Sequence, residues 1–219
     1  MSQIETLLAV YDDSVNDIEI LKRQVSDFFL LNKELNTGLP PSVHSVKARI
    51  KDRNHLKDKV ERKLARGDDI NIENLFDEIT DLAGVRVMHL YQDQFEQIHN
   101  AIQGQIDKGY WILGERPKAY TWDPESIAFF NQFDLEVIQK ESSYTSIHYL
   151  VKPHEKFPFY CEIQVRTLFE EIWGEIDHSI NYPTPTDKIA CREQLRVLSK
   201  LVGAGSRLAD SIFRVHHDK

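Results

Sequence analysis

Residues 160–178 decide how the chain folds, and they read YCEIQVRTLFEEIWGEIDH. In the first half of this stretch, apolar residues alternate with Glu162, Gln164 and Arg166. Alternation with a period of two predicts a half-buried strand whose polar side chains share one face. A carboxylate, an amide and a guanidinium therefore stand in a row. Taken by itself, the stretch is also compatible with an edge strand that has a solvated face.

The second half of the stretch predicts a helix that begins directly after the strand. Thr167 is a typical N-cap residue, and Glu170 three positions later completes a capping box. Leu168, Ile172 and Ile176 follow at helical spacing, which predicts an apolar stripe. A strand with a polar row thus runs straight into an amphipathic helix.

Composition limits the class of protein. The chain has 219 residues, of which 41% are hydrophobic and 28% charged, so it can form one packed domain with or without a helical appendage. It shows neither an apolar run of membrane-spanning length nor a signal-peptide pattern at its start. Its two cysteines provide no disulfide framework. We therefore expect a cytoplasmic protein that does not contact membranes.

The net charge of −8 conceals a basic segment. Residues 47–66 contain nine Lys and Arg but only three Asp and Glu, so the remainder of the chain is strongly acidic. A local basic patch on an acidic protein indicates a compact polyanion site, such as a site for a nucleoside triphosphate. A long nucleic-acid track would require a more generally basic surface. A solvated charged helix is the alternative.

The pattern along the chain predicts an α+β fold with a mixed sheet of about five strands surrounded by helices. Residues 114–133 are predicted to be irregular apart from a short helix near 126–131. The predicted strands lie within residues 42–51, 85–91, 110–113, 135–139, 142–152 and 160–166. The main predicted helices span residues 3–35, 52–67, 94–108, 167–178 and 189–213. The last helix is expected to point Leu195, Leu198, Leu201, Val202, Leu208 and Ile212 inward.

The polar faces of these strands suggest one shared site. Their combined residues are Lys47, Arg49, Lys51, Asp81, Arg86, Tyr144, Ser146, His148, Glu162, Gln164 and Arg166. Two carboxylates among several cations suit magnesium, which prefers one or two carboxylates together with phosphate oxygens and water. Phosphoryl chemistry of this kind depends on positioning and charge neutralisation. Each residue alone also has an ordinary structural explanation.

Five short motifs occur in an order that resembles the synthetase domain of the RelA/SpoT family: RIK, DLAGVR, YTSIH, EIQVRT and WGEIDH. The resemblance covers roughly residues 43–183. It implies a nucleotidyltransferase-like domain at residues 42–183, between helical segments at 1–41 and 184–219. It also implies transfer of pyrophosphate from ATP to the 3′-hydroxyl of GDP or GTP, which makes the alarmone (p)ppGpp. Since no hydrolase pattern or regulatory domain is apparent, the chain resembles the single-domain small synthetases.

The resemblance implies catalytic roles for two carboxylates. Asp81 and Glu162 correspond to the pair that binds magnesium, the expected cofactor. Glu162 also corresponds to the base that activates the acceptor hydroxyl.

The implied ATP-binding residues are all basic. Arg49 and Arg86 match the pair whose guanidinium planes sandwich adenine, which suits the stacking chemistry of arginine. Lys51 and Lys59 match the cations that contact the ATP phosphates.

The implied acceptor site lies on the strands nearer the C-terminus. Tyr144 matches the aromatic residue that stacks on guanine, and His148 and Gln164 match further pocket residues. For Glu171 we expect a carboxylate that accepts two hydrogen bonds from the amide edge of guanine.

The segment before Tyr144 departs from the family pattern. Small synthetases carry a basic loop with a glycine before this tyrosine and an arginine after it, whereas residues 140–145 read KESSYT. That loop contacts substrate phosphates in the family, so phosphate handling is expected to differ here. No role is predicted for residues 114–134.

Three hypotheses follow for function. The first is an alarmone synthetase that uses ATP and a guanine nucleotide. The second is a toxin-like relative that pyrophosphorylates the 3′ end of tRNA or makes an adenosine alarmone, with an antitoxin as a further partner. The acidic remainder of the chain disfavours tRNA. The third is a non-catalytic nucleotide-binding or partner-binding module, which the presence of both Asp81 and Glu162 disfavours. Small synthetases are often tetramers, so a homo-oligomer is expected.

Overall fold

The computed structural model describes residues 2–182 and 184–217. Within these residues, seven strands form one mixed sheet in the order β1-β2-β7-β6-β4-β5, with β3 paired to β6. The pairs β2–β7 and β4–β5 are parallel, and the others are antiparallel. The strands are β1 (Ser45–Ile50), β2 (Ala83–His89), β3 (Ile112–Leu113), β4 (Lys118–Thr121), β5 (Glu136–Gln139), β6 (Ser146–Lys152) and β7 (Cys161–Thr167).

Helices surround the sheet, which confirms the predicted fold class. They are α1 (Gln3–Leu31), α2 (Lys33–Asn36), α3 (Arg53–Ala65), α4 (Leu75–Glu78), α5 (Phe95–Asp107), α6 (Pro124–Phe130), α7 (Leu168–Asn181) and α8 (Ile189–His217). In the described part of the chain, none of them combines the length and apolar character needed to cross a bilayer. The predicted segment boundaries at residues 1, 183 and 219 lie outside the described residues.

The predicted number of strands was too low. Strand β4 lies within residues 114–133, which the sequence indicated to be irregular. It has only four residues and stands between Pro117 and Pro124, so its local signal is weak. Its neighbours β5 and β6 pair with it on both sides, and this tertiary pairing makes it a strand.

Helix α1 covers the apolar face of the sheet. It contacts β1, β2 and β7, and its inward residues join the same core as Val85 and Ile163. Burying one such aliphatic or aromatic side chain contributes roughly 1.5–3 kcal/mol. The buried residues of α1 are Leu7, Leu8, Tyr11, Ile18, Leu21, Val25 and Phe29.

The opposite face of the sheet carries the polar row. Directly paired residues run from strand to strand in the order Lys47, Arg86, Gln164, His148 and Lys118. Residues directly opposite each other on neighbouring strands project from the same face. The register therefore confirms that β1, β2, β6 and β7 share one polar face, and it adds β4.

The capping box that begins α7 is confirmed, but the predicted stripe is wrong. Thr167 Oγ1 accepts a hydrogen bond from the Glu170 N–H, and Glu170 Oε2 accepts one from the Thr167 N–H. Ile172 and Ile176 are exposed, whereas Glu171 and Trp173 are buried. Glu171 forms ion pairs with cations of the polar row, so the face of α7 that carries Glu171 packs against the sheet.

The prediction for α8 was wrong for three of its six inward residues. Leu195 is buried and Leu198 and Val202 are half-buried, but the remaining three leucine and isoleucine side chains are exposed: Leu201, Leu208 and Ile212. Helix α8 packs on a polar surface instead. Asp210 Oδ1 accepts a hydrogen bond from the Asp93 N–H, and Arg207 forms an ion pair with Asp123. The buried polar residues of α8 are Ser199, Ser206 and Asp210.

Candidate active site

Asp81 lies just before β2 and is held by two lysines. Lys51 Nζ donates a hydrogen bond to Asp81 Oδ2 at 2.7 Å, and Lys59 Nζ donates one to Oδ1 at 2.9 Å. Burial opposes ionisation of this carboxyl, but the two ammonium groups outweigh it and lower the pKa of Asp81. The carboxylate is therefore ionised at neutral pH.

The two lysines reach Asp81 from different elements. Lys51 follows the last residue of β1, and its backbone N–H donates to the Leu82 carbonyl at 2.8 Å. Lys59 lies on α3, which begins at Arg53 and is capped by the side chain of Asp52. The capped start fixes the position of α3, so Lys59 faces the carboxylate.

Glu162 on β7 is held by hydrogen-bonding side chains of β6 and of its own strand. Gln164 Nε2 donates to Glu162 Oε2 at 2.6 Å, and His148 Nδ1 lies 3.0 Å from Oε1. The other ring nitrogen of His148 lies 2.9 Å from the Tyr144 hydroxyl. Burial opposes ionisation, but the contacts with His148 and Gln164 lower the pKa of Glu162.

The two carboxylates face the same space. The negative charge of Asp81 acts to raise the pKa of Glu162, as expected when two carboxylates are close. Both line a cleft of about 340 Å³. The other residues that line it include Lys47, Arg49, Gly84, Arg86, Gln164 and Glu175. The structure thus brings together the predicted catalytic residues and the predicted adenine-binding arginines.

A second space of about 430 Å³ adjoins this cleft. The two spaces share Arg49, Arg86, Gln164 and Glu175 in their walls. Tyr144 lines the second space, where the side chains of α7 form the opposite wall. The predicted adenine-binding arginines and the predicted acceptor residue Gln164 thus line both spaces, whereas Tyr144 belongs to the lining of the second.

Glu171 is buried and paired with cations beside this space. Its carboxylate accepts hydrogen bonds from Lys47 Nζ at 2.9 Å and from Arg86 Nη1 at 2.9 and 3.1 Å. Arg166 Nη1 lies 3.4 Å from the same carboxylate. Although desolvation opposes ionisation, these cations lower the pKa of Glu171. Its contact with guanine stays a prediction, and the structure gives its oxygens other partners.

No role was predicted for Tyr120, which the structure places beside the predicted acceptor residues. Its ring centroid lies 5.0 Å from that of His148, and Lys140 Nζ lies 4.4 Å from the Tyr120 centroid. Tyr120 belongs to β4, and it pairs with Ser146 at the edge of the polar face. Since β4 itself was not predicted, only the register reveals this residue.

The donor set suits a magnesium ion that is delivered with nucleotide phosphates. Asp81 and Glu162 supply two carboxylates, and magnesium completes its octahedral shell with phosphate oxygens and water. Among residues 2–182 and 184–217, no three His, Cys, Asp or Glu side chains gather as a metal-holding group. Asp81 and Glu162 would hold the ion, and in this structure Lys51 and Lys59 pair with Asp81.

Solved structures share this fold. The crystal structure of small alarmone synthetase 1 from Bacillus subtilis has a TM-score of 0.69 and 20% sequence identity, and the match covers 98% of each chain. Its complex with the product pppGpp has a TM-score of 0.65 and 20% identity, over 92% of this chain and 93% of that one. A GTP pyrophosphokinase family protein from Streptococcus pneumoniae has a TM-score of 0.65 and 21% identity, over 92% and 89%. The chain thus has the fold of the small alarmone synthetases.

Residues 48–187 match the model of a region found in RelA / SpoT proteins. This match spans more than half of the sequence, so the chain belongs to the RelA/SpoT family. No curated protein matches it.

Proposed function

We propose that the protein is a magnesium-dependent pyrophosphotransferase that moves pyrophosphate from ATP to the 3′-hydroxyl of GDP or GTP. The observation that carries this proposal is the cleft in which Asp81 and Glu162 face each other. Membership of the RelA/SpoT family supports the reaction class, and the pppGpp bound to the Bacillus subtilis relative supports a guanine nucleotide.

The two sides of the cleft suit different tasks. On the Asp81 side, Lys51 and Lys59 offer two positive charges to the phosphates of ATP. On the Glu162 side, an ionised carboxylate can accept the proton of the 3′-hydroxyl. The acceptor oxygen then forms a bond to the β-phosphorus of ATP. The bond between this phosphorus and the oxygen that bridges it to the α-phosphate breaks, and AMP leaves with that oxygen. Magnesium would neutralise charge on the transferred group.

One observation favours a second candidate acceptor. Thr145 occupies the position where the family has an arginine, and its side chain points into the protein. Thr145 Oγ1 lies 3.1 Å from the buried Thr121 Oγ1. This position therefore offers no cation to an acceptor phosphate, which favours an acceptor with fewer phosphates, such as AMP or the 3′ end of tRNA.

The test is transfer of labelled pyrophosphate from ATP to GDP, GTP, AMP and bulk tRNA, with products separated by thin-layer chromatography. We expect a labelled product with GDP or GTP that requires magnesium. Transfer to AMP or tRNA alone would establish the second candidate. Transfer to none of the four would contradict the enzyme proposal and favour a nucleotide-binding module.

We also propose that the protein acts in the cytoplasm as a homo-oligomer. Light scattering should then give a mass that is a multiple of the 25.6 kDa chain. A mass of one chain at micromolar concentration would contradict the second part of this proposal.

A further inference from the structure

Cations from three strands converge on the single carboxylate of Glu171. Lys47 comes from β1, Arg86 from β2 and Arg166 from β7. Glu171 lies on α7 and is 5% exposed, so the helix inserts one negative charge among three positive ones. An ionised carboxylate accepts up to about four hydrogen bonds, which lets one residue serve several donors.

We propose that Glu171 is a positioning residue that holds Arg86 on the ATP side and Arg166 on the acceptor side in one ion network. The names of the two sides rest on the function proposed above. In this arrangement a single carboxylate positions Arg86, which lines both spaces, and Arg166, which lines the second.

The ATP-side arm of the network fixes Arg86. Its Nη1 donates to both oxygens of Glu171 and, at 2.7 Å, to Glu175 Oε1. All three hydrogen bonds use one nitrogen, so the rest of the planar group can lie against a base in the cleft. A guanidinium that is anchored in this way loses less freedom when a base stacks on it.

The acceptor-side arm fixes Arg166. This buried guanidinium donates from Nη2 to Gln164 Oε1 at 2.7 Å, and its carbon lies 5.6 Å from the centroid of the Tyr144 ring. Arg166 thus contacts two residues that are predicted to bind the acceptor. Its pairing with Glu171 offsets the cost of burying its charge.

Gly174 makes room for this arm. A Cβ atom at position 174 would lie 2.9 Å from Arg166 Nη1, closer than real contacts allow. Gly174 also lines the second space. An alanine at this position should displace the guanidinium while leaving Arg86 and its partners in place.

Glu175 provides a matched control on the same helix. It contacts Arg86 but is 56% exposed at its side chain, whereas Glu171 contacts both arginines and is buried. Glu171→Gln and Glu175→Gln each remove one charge and keep the shape. Only the first should disturb both arginines.

The experiment measures two quantities for each variant: the affinity for a non-hydrolysable ATP analogue without acceptor, by calorimetry, and the KM for GDP at saturating ATP. Glu171→Gln should weaken analogue binding about tenfold, near 1.4 kcal/mol, and raise the GDP KM by a similar factor. Glu175→Gln should weaken analogue binding less and leave the KM less affected. Gly174→Ala should raise the KM and not the analogue dissociation constant.

If Glu171→Gln raises only the KM for GDP, Glu171 is a direct acceptor ligand and the proposal is overturned. If the variant changes neither the KM nor the analogue affinity, the proposal is overturned as well. If this variant does not fold, Glu171→Asp, which keeps the charge but shortens the reach, should show the same paired losses. The measurement of ATP-analogue affinity does not require turnover. A wild type that binds the analogue but transfers to no acceptor contradicts the proposed function, while analogue affinity still decides whether Glu171 positions Arg86.

Discussion

Glu170 and Glu171 are neighbours in sequence, but they lie on different sides of α7 and carry different charge states. Glu171 on the cleft side is the more buried of the two, yet its pKa is lowered, since three cations contact it. Desolvation raises the pKa of Glu170 to about 7, and its capping partner is a neutral backbone N–H. The charge of these two carboxyls therefore depends on whether cationic partners offset desolvation.

The same contrast separates the cleft from the layer beneath α8. In the cleft, Asp81, Glu162 and Glu171 all have lowered pKa values. Beneath α8, Asp210 has a pKa raised to about 6 because it is desolvated. Ion pairs occur in both layers, but Asp210 accepts its hydrogen bond from a backbone N–H, and there desolvation prevails.

Removing the charges of the cleft should have the largest effect. We expect Asp81→Asn and Glu162→Gln each to reduce pyrophosphate transfer on the order of a thousandfold while the analogue still binds, since each loses an electrostatic contact made in the transition state. The measurement is the transfer rate at saturating substrates. The double variant should be scarcely slower than either single one, because residues that act as a unit are not additive.

Extra magnesium should not rescue Glu162→Gln if this residue is also the base. Substantial transfer by both single variants would show that the site has been assigned wrongly. The paired carboxylates would then be structural, like Glu170.

A smaller loss is expected from the arginines of the ATP side. Arg49→Ala and Arg86→Ala should each weaken binding of the ATP analogue by roughly five- to thirtyfold, in line with about 1–2 kcal/mol for a desolvated cation–π contact. Calorimetry without acceptor measures this loss. Unchanged affinity in both variants would reject the adenine sandwich.

The effect of Glu170 on the pH dependence of folding stability should sharpen this contrast. We expect a free-energy change similar to or smaller than that of the arginine variants. Its folded pKa of about 7 lies above the ordinary value of 4.5, so its contribution to stability is complete below pH 4.5 and is lost as pH rises through 7. Glu170→Gln keeps the capping acceptor and cannot ionise. We expect the unfolding free energy of the variant, relative to that of the wild type, to increase by about 1–2 kcal/mol between pH 4.5 and 8. This is less than the full pKa shift would give, because the Glu170 side chain retains some solvent contact.

Urea unfolding at the two pH values measures this difference. Arg196→Gln, which alters an exposed ion pair of α8 with Glu193, serves as a control that should lack the same trend. An equal free-energy difference between Glu170→Gln and wild type at both pH values would mean that folding does not raise the pKa of Glu170.

Local patterns in the sequence predicted much of this structure. The alternation in β7 and the capping box of α7 are local features, and both are confirmed. The polar row also followed from alternation, because a period of two assigns each side chain to a face. The family motifs indicated Asp81 and Glu162, which the fold places in one cleft.

The errors arose where tertiary contacts decide. Strand β4 exists through pairing on both sides, so Tyr120 was overlooked. Helix α8 has an apolar stripe at helical spacing, but its ion pairs with Asp93 and Asp123 turn polar residues inward. The partners of Glu171 come from three strands that are distant in sequence, and no local pattern predicts them.

The smallest effect is expected on the exposed stripe of α8, where two leucines form a matched pair. Leu195 is 7% exposed and Leu201 is 64% exposed on the same helix. Leu195→Ala should cost about 2–3 kcal/mol of unfolding free energy through lost packing, whereas Leu201→Ala should change it by less than about 0.5 kcal/mol. Urea unfolding at low protein concentration measures both.

If Leu201→Ala costs as much as Leu195→Ala, another copy of the chain covers the stripe, and the cost should then fall on dilution because association contributes to apparent stability. A cost that persists on dilution would mean that α8 is rotated and buries Leu201 as the sequence alone predicted.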